Sequence, residues 1–130
     1  MKASILGVVA VGGAIGSMAR YAVSTIQNPL VAFPYAIFIV NLSGGFFMGV
    51  VTALLALKFS VSSEVRAFLT TGILGGYTTF STFSLESAML IERHDYTTAT
   101  SYVFGSAILS IVALFCGMWI VRALAPFLPT

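Results

Sequence analysis

The sequence predicts an all-α membrane protein with four transmembrane helices. Of its 130 residues, 58% are hydrophobic and only 8% are charged, whereas a soluble domain carries about 25% charged residues. The mean hydropathy is +1.03, and four apolar stretches each reach the length of about 20 residues that a helix needs to cross a bilayer. These stretches leave no room for a soluble domain, so a water-soluble enzyme is excluded.

The four predicted spans cover 4–26, 34–57, 67–91 and 97–124 of a single domain, 1–130. Proline and charged residues, which favour the ends of membrane helices, set their limits. The first span ends before Pro29, and the second runs from Pro34 to a point before Lys58. The third lies between Arg66 and Glu92. Because no cleavage site follows the first stretch, we expect it to be a helix rather than a signal peptide.

The few charges give a weak indication of orientation. An even number of spans places both termini and the link between spans two and three on one side. That side holds Lys2, Lys58, Arg66 and Arg122, and the other holds Arg93 and, more loosely, Arg20. The positive-inside rule therefore leans toward cytoplasmic termini. The net charge is +2 with no cluster of basic residues, so a nucleic-acid partner is not expected.

The middle of the third span predicts an interruption of the helix. Gly72, Gly75 and Gly76 lie there together with Thr78 and Thr79, and all are poor helix formers. Backbone that leaves the helix at membrane depth must be satisfied by protein, water or an ion, so broken helices are typical of ion and substrate sites. A kink supported by hydroxyl side chains is the alternative.

Glycines four residues apart recur along the chain and favour close helix packing. The pairs are Gly12 with Gly16, Gly45 with Gly49, and Gly72 with Gly76. We expect the first two pairs to be packing sites and no more.

The helix that is expected after the interruption has two chemically distinct faces, because successive helical residues turn by about 100°. One face carries Phe80, Phe83, Ser84 and Ser87, and the opposite face carries Thr79, Thr82 and Glu86. Aromatic ring edges are electropositive and hydroxyls donate hydrogen bonds, so the first face suits a small anion. Ordinary packing of the two rings is the alternative.

Polar residues within the second and fourth spans add further donors. Asn41 lies inside span two, and Tyr102, Ser106 and Ser110 follow one another at intervals of four on span four. At such depth an unsatisfied polar group is costly, so these residues are candidates for a polar pathway. Hydrogen bonding between helices is the alternative for all of them.

Apart from Arg122, which closes the fourth span, two charged residues lie within the predicted spans, where charge is costly and usually functional. Arg20 is about one turn from the end of span one, where it would either extend to the interface or attract anions at a pore mouth. Glu86 lies deeper, and the sequence leaves open whether it is paired, protonated or part of a gate. His94 sits in a polar connection, and no combination of residues indicates catalysis.

Taken together, these motifs resemble the Fluc (CrcB) family of microbial fluoride channels. The resemblance rests on the glycine-rich stretch 12–16 followed by Arg20, on Asn41 with Gly44 and Gly45, and on the string 75–86, and it extends over all four spans. It implies a fluoride-selective passive channel in the inner (plasma) membrane. It also implies an antiparallel, dual-topology homodimer with two pores and one structural sodium ion.

The resemblance assigns roles to individual residues. It implies that Phe80, Phe83 and Asn41 line the fluoride pore, with Glu86 beside them. The polar track would comprise Thr82, Ser84, Tyr102, Ser106 and Ser110, and Arg20 would lie in the vestibule. Backbone carbonyls of Gly75 and Thr78 would bind the sodium ion, a coordination that suits a hard alkali cation.

Two other functions are compatible with parts of the sequence. A small proton-coupled multidrug exporter also has four short spans, but it needs a carboxylate in the first span, which has none. A structural subunit that assembles through its glycine motifs is the other, and it would need neither Phe80 nor Phe83.

Overall fold

The computed structural model describes residues 2–57 and 61–127, and within these residues it contains helices and no strand. The helices are α1 (Ala3–Ser24), α2 (Tyr35–Leu57), α3 (Ser63–Ala67), a π-helical segment (Phe68–Leu74), α4 (Gly75–Tyr77), α5 (Phe80–Glu92), α6 (Tyr96–Leu124) and a final 3₁₀ turn (Ala125–Phe127). The all-helical prediction is therefore confirmed. Lys58, one of the charges used to predict orientation, lies outside the described residues.

Three of the helices are long and apolar enough to cross a membrane unbroken. They are Ala3–Ser24, Tyr35–Leu57 and the run Tyr96–Phe127. The third predicted span consists instead of two helical runs, 63–77 and 80–92. Thr78 and Thr79 lie between these runs, in extended backbone conformation.

The interruption of the third span is narrower than the glycine-rich sequence predicts. Gly72, Gly75 and Gly76 all remain helical, and only the two threonines leave the helix. Gly72 and Gly76 are tolerated because they pack closely against α1. The π-helical turn before the break accommodates a wider spacing of hydrogen bonds, a feature that is common at functional sites.

Glycines bring α1 into direct backbone contact with the third span. A Cβ atom added at Gly12 would lie 2.8 Å from the carbonyl oxygen of Phe68, and one at Gly76 would lie 2.7 Å from that of Gly13. A Cβ at Gly16 would meet the backbone of Ile73 and Tyr77. Since no side chain fits between these backbones, α1 fixes the position of the segment just before the break.

A second glycine contact joins α2 to α6. A Cβ added at Gly45 would lie 2.6 Å from the carbonyl oxygen of Ser110, and one at Gly49 would meet that of Leu114. From the other side, Gly117 faces the carbonyl oxygen of Phe46. The predicted packing role of the first two glycine pairs is therefore confirmed, and α6 lies against α2 at the level of its serines.

The connection between α1 and α2 is held by two polar side chains. Nε2 of Gln27 donates to the carbonyl of Phe33 at 3.2 Å, while its Oε1 accepts from the amide of Ala36 at 3.1 Å. The hydroxyl of Tyr35 donates to the carbonyl of Ile26 at 2.5 Å. These bonds fold the connection back against the start of α2.

Replacement of Gly16 by alanine should destabilise the protein, because the new methyl group meets backbone atoms that cannot rotate away. Overpacking of this kind costs about 1–3 kcal/mol. We expect a lower midpoint of thermal unfolding for the purified protein in detergent.

Gly13→Ala is the matched control, since nothing lies within 4 Å of an added Cβ at that position. Alanine is favoured over glycine in a helix by about 0.5–1 kcal/mol, so this variant should be as stable as the wild type or more stable. Equal midpoints for the two variants would contradict the packing described here.

Candidate functional site

The broken third span is braced by the side chain of Asn41 on α2. Its Nδ2 donates to the carbonyl oxygen of Thr79 at 3.1 Å, and its Oδ1 accepts from the amide of Thr79 at 2.9 Å. One amide side chain thus satisfies both backbone groups of a buried residue that has left the helix. Within the described residues, the second proton of Nδ2 has no acceptor, so it remains available for a ligand.

The break also releases two backbone carbonyls. In a continuous helix the amide of Thr79 would bond to the carbonyl of Gly75, and that of Thr82 to the carbonyl of Thr78. Here the amide of Thr79 donates to Asn41, and the amide of Thr82 donates to Oγ1 of Thr79 at 3.2 Å. The carbonyl oxygens of Gly75 and Thr78 therefore lack their helical donors, and oxygen atoms of this kind fit a hard alkali cation.

A cavity of about 360 Å³, which we call the central cavity, opens beside the brace. It is lined by residues from α2, the break, α5 and α6, among them Asn41, Thr79, Phe80, Phe83, Ser106 and Ser110. Five of the predicted pore residues are thus brought to one place: Asn41, Phe80, Phe83, Ser106 and Ser110. Three predicted spans contribute to the lining.

Two hydroxyl groups beside the central cavity have no hydrogen-bond partner. The Oγ atoms of Ser106 and Ser110 are both buried, and no acceptor or donor reaches either of them among residues 2–57 and 61–127. Leaving a buried polar group unsatisfied costs about 1–3 kcal/mol. A small hydrogen-bond acceptor bound in the cavity would satisfy these groups.

Two aromatic rings form the wall of the central cavity on the side of α5. The ring centroids of Phe80 and Phe83 are 5.5 Å apart, and the ring planes are inclined by 43°. Phe83 is partly buried and also packs on Tyr102, with 5.2 Å between ring centroids. The ring of Phe80 is 79% exposed in the single chain, so this part of the cavity lies open at the surface.

Glu86 and Tyr102 form a hydrogen-bonded pair next to the central cavity. The Tyr102 hydroxyl donates to Oε2 of Glu86 at 2.6 Å, and the tyrosine is fully buried. The sequence places Glu86 on the face opposite Phe83, and this division is wrong. Both side chains reach Tyr102, because residues three apart on a helix lie about 60° from one another.

Arg20 and Thr82 meet in a different cavity, of about 400 Å³, between α1 and α5. Ser17, Ser24 and Ser81 also line it, so this cavity, which we call the arginine cavity, combines one cation with several hydroxyls. Thr82 does not line the central cavity, but its hydroxyl accepts a hydrogen bond at 3.2 Å from that of Thr79, which does. Ser84 lines neither cavity, because its hydroxyl is exposed and donates to the carbonyl of Phe80 at 2.9 Å.

Sequence reasoning missed the part that Thr79 plays. Its hydroxyl caps α5, and its backbone groups bind Asn41. A threonine directly after a glycine-rich run and before an apolar helix is a recognisable N-cap, so the cap could have been found. The pairing with Asn41 could not, because it depends on how α2 lies against the break.

The chain matches a family described as "CrcB-like protein, Camphor Resistance (CrcB)" over residues 7–118. The matched part contains α2, the broken third span and most of α1 and α6. Every residue of the central cavity and of the arginine cavity lies within it.

Curated relatives resemble the chain over most of its length. A protein of Rhodopseudomonas palustris named "Fluoride-specific ion channel FluC" is 46% identical over 115 residues, which are 87% of this chain and 93% of the relative. Relatives with the same name are 48% identical in a Caulobacter species, over 88% of this chain and 91% of the relative, and 42% identical in Nitrobacter winogradskyi, over 95% and 100%.

Replacement of Asn41 by alanine should destabilise the break, because both backbone groups of Thr79 would lose their partner. At about 1–3 kcal/mol for each buried unsatisfied group, we expect a clear drop in the midpoint of thermal unfolding in detergent. Ser84→Ala is the control, since its exposed hydroxyl bonds only within α5. If Asn41→Ala and Ser84→Ala unfolded at the same temperature, the bracing role would be wrong.

Proposed function

The chain belongs to the CrcB family, and from that premise we propose that it forms a fluoride-selective passive ion channel. The observation that carries the proposal is the central cavity, where two buried hydroxyls that lack a partner among residues 2–57 and 61–127 lie with two phenylalanine rings and the amide of Asn41. Such a cavity offers several donors to a small anion and no fixed negative charge of its own lining. The relatives are named fluoride-specific ion channels, and fluoride is therefore the anion that we propose.

Fluoride is held in water by short, strong hydrogen bonds, which any selective pathway must replace. The hydroxyls of Ser106 and Ser110, together with the free Nδ2 proton of Asn41, supply donors in a site of low dielectric constant, where hydrogen bonds are stronger than in water. The electropositive edges of Phe80 and Phe83 complete the set. Replacing the hydration shell inside a narrow path is a general basis of ion selectivity.

The remaining polar residues extend this pathway. Arg20 and Thr82 form a vestibule, where the guanidinium attracts anions from solution. Tyr102 continues the line of Ser106 and Ser110 along α6, and its hydroxyl donates a hydrogen bond to Glu86. Ser84, one turn after Phe80, would contribute only at a surface that a second chain covers.

We assign the functional unit as an antiparallel, dual-topology homodimer with two pores. Two observations favour a partner: the ring of Phe80 is 79% exposed in one chain, and the central cavity is open at the surface. If the open side of the cavity faced lipid, its hydrogen-bond donors would lack a polar environment. A second copy of the chain would close the wall.

A structural sodium ion between the two chains is part of the proposal. The carbonyl oxygens of Gly75 and Thr78, which have lost their helical donors, would hold it. When bound, the ion supplies positive charge that satisfies the released carbonyls of both breaks. The chain itself contributes the rigid support, through Asn41 and the glycine contacts of α1.

The direction of transport follows from the membrane potential. The protein has candidate membrane-spanning helices, and we place them in the inner (plasma) membrane. An inside-negative potential drives anions outward, at about 2.3 kcal/mol for each elementary charge per 100 mV. Fluoride that accumulates in the cytoplasm would therefore leave without coupling to another energy source.

The proton-coupled exporter is the alternative function, and the site does not favour it. No acidic residue occurs in α1. Glu86, the single candidate for proton exchange within the spans, is bound to Tyr102 at the side of the pathway. Membership of the CrcB family favours the channel.

Fluoride efflux from liposomes tests the proposal directly. With purified protein and an imposed potassium–valinomycin potential, we expect rapid fluoride efflux and negligible chloride efflux. Phe80→Ile or Phe83→Ile should reduce the fluoride flux by at least tenfold, since isoleucine keeps the bulk but removes the ring edge. Phe115→Ile is the control, because this exposed ring on α6 lines neither cavity.

Two results would contradict the channel. If liposomes that contain the folded protein released no fluoride, the proposed function would be wrong. Unchanged flux in both variants of the rings would remove the pore assignment and favour a structural subunit.

Sodium should raise the stability of the purified protein at constant ionic strength. A ligand that binds only the folded state stabilises it by about 2.7 kcal/mol at 100 times its dissociation constant. We expect a higher midpoint of thermal unfolding in sodium chloride than in choline chloride of the same concentration. Identical midpoints in the two salts would count against a sodium site at Gly75 and Thr78.

A further inference from the structure

The connection between α1 and α2 exposes apolar side chains near its tip. Leu30 is 91% exposed, and Ile26 and Val31 in the same connection are exposed as well. Scattered apolar residues are normal on a protein surface, whereas apolar side chains that are exposed together mark a contact with a membrane or another molecule. Neither the motifs of the sequence nor the proposed anion pathway gives this connection a role.

Charge distinguishes this connection from its neighbour at the same end of the helix bundle. No aspartate, glutamate, lysine, arginine or histidine occurs in 21–57. By contrast, the run 92–95, where α5 ends and α6 begins, consists of glutamate, arginine, histidine and aspartate. The α5–α6 connection thus carries groups that favour water, and the α1–α2 connection carries no charge.

The backbone of the α1–α2 connection is hydrogen-bonded by side chains of the connection and of the start of α2. The amide of Asn28 donates to the hydroxyl oxygen of Tyr35 at 2.7 Å, and the amide of Leu30 donates to Oδ1 of Asn28 at 2.9 Å. Gln27 binds further backbone groups, as described above. Backbone outside a helix is tolerated at membrane depth where protein satisfies it, so these bonds suit a connection that borders hydrocarbon.

The connection lies beside the last turns of α5 rather than beyond them. Pro29 of the connection and Met89 of α5 line the same cavity, of about 230 Å³. Phe33 packs against the buried cluster that contains Leu90. These contacts hold one side of the connection against the bundle, while Leu30 does not line the cavity and stays exposed.

The length of α1 places the connection at the boundary of the hydrocarbon core. The 22 residues of α1 rise by about 1.5 Å each and thus span about 33 Å, against about 30 Å for the core. Tyr21, one turn before the end of α1, and Tyr96, at the start of α6, are both exposed. Tyrosine is enriched at the membrane–water interface, so these side chains mark the same level.

We propose that the α1–α2 connection is a membrane anchor, in which Leu30, Ile26 and Val31 insert into the boundary between lipid headgroups and acyl chains. Interfacial segments bury their apolar side chains there by about 5–10 Å. Because the connection has no charge, its attachment is apolar and does not depend on the charge of the headgroups. The anchor goes beyond the proposed channel, since it requires helices that cross a membrane and no transport of fluoride.

Lipid suits this surface better than a second copy of the chain does. An antiparallel copy would bring the opposite end of its helices to this level, and that end carries Lys2, Glu64, Arg66 and Arg122. Charged side chains find no complementary group on an uncharged apolar surface. The acyl boundary of the bilayer needs no such group.

Tryptophan fluorescence tests the anchor in vesicles of phosphatidylcholine. Trp119 is the one tryptophan of the chain, so Leu30→Trp on a Trp119→Phe background reports on the tip alone. Bromine atoms at defined positions of the acyl chains quench from the bilayer, and acrylamide quenches from water. We expect blue-shifted emission, a depth of about 5–10 Å from the bromine series and little quenching by acrylamide. Vesicles of phosphatidylglycerol should give the same depth.

Glu92→Trp on the same background is the matched control. Glu92 is also exposed and lies at the same end of the bundle, in the charged run 92–95. Its emission should resemble that of tryptophan in water, with strong quenching by acrylamide. Leu30→Cys on a Cys116→Ser background, carrying a spin label, gives a second measurement. Its collisions with oxygen, which concentrates in the bilayer, should exceed those with a water-soluble nickel chelate.

Each other outcome overturns the anchor. If acrylamide quenched Leu30→Trp as strongly as Glu92→Trp, the tip would lie in water. If neither acrylamide nor bromine quenched it, protein would cover the tip, and a second copy of the chain would be its partner. Should Leu30→Trp not fold, the spin label at position 30 decides between lipid and water. Because no step involves fluoride, a failed anchor leaves the channel intact, and a failed channel leaves the anchor intact.

Discussion

The structure depends on how one short stretch of non-helical backbone is satisfied in the middle of a membrane span. Thr79 has left the helix, and each of its backbone groups would cost several kcal/mol if it were unpaired in hydrocarbon. Asn41 pairs with both groups. Because a single side chain does this, the position of α2 relative to the break is fixed, and so are the cavity between them and the direction of α5.

The glycine contacts supply the rigidity that this arrangement needs. Gly12 and Gly16 bring α1 against the segment just before the break, and Gly45 and Gly49 bring α2 against α6. In lipid, helices gain no hydrophobic free energy from association, so close backbone approach carries much of the packing. The same contact that joins α2 to α6 holds Ser110 beside the central cavity, so packing and site share one interface.

The sequence predicted the helical class, the glycine contacts and the presence of an interruption, because each follows from local composition and spacing. It placed the interruption in the stretch from Gly72 to Thr79, of which only Thr78 and Thr79 leave the helix. Glycine propensity suggested that the break would begin at Gly72, yet the close contact with α1 keeps Gly72 and Gly76 helical. Propensity describes an isolated helix, and tertiary packing overrides it.

The residue types indicated the chemistry of the site, but which side chains lie together was harder to predict. Residue spacing on α5 suggested that Glu86 faces away from the phenylalanines, but spacing gives only a direction around one helix. Which neighbour a side chain meets depends on α6, where Tyr102 receives both Phe83 and Glu86. The family resemblance groups Thr82 with the polar track, and in the structure Thr82 lines the arginine cavity with Arg20 while its hydroxyl accepts a hydrogen bond from that of Thr79.

An anion pathway inside a small four-helix protein has an inherent geometric difficulty, because four helices fill the space between them with their own side chains. In this chain the donors line a cavity that opens at the surface of the bundle, where Phe80 is exposed. In the proposed assembly, the anion pathway is therefore complete only in the dimer. In that assembly a second chain would close the wall that the first leaves open, and the hydroxyls of Ser106 and Ser110, which have no partner among the described residues, would face a space that excludes lipid.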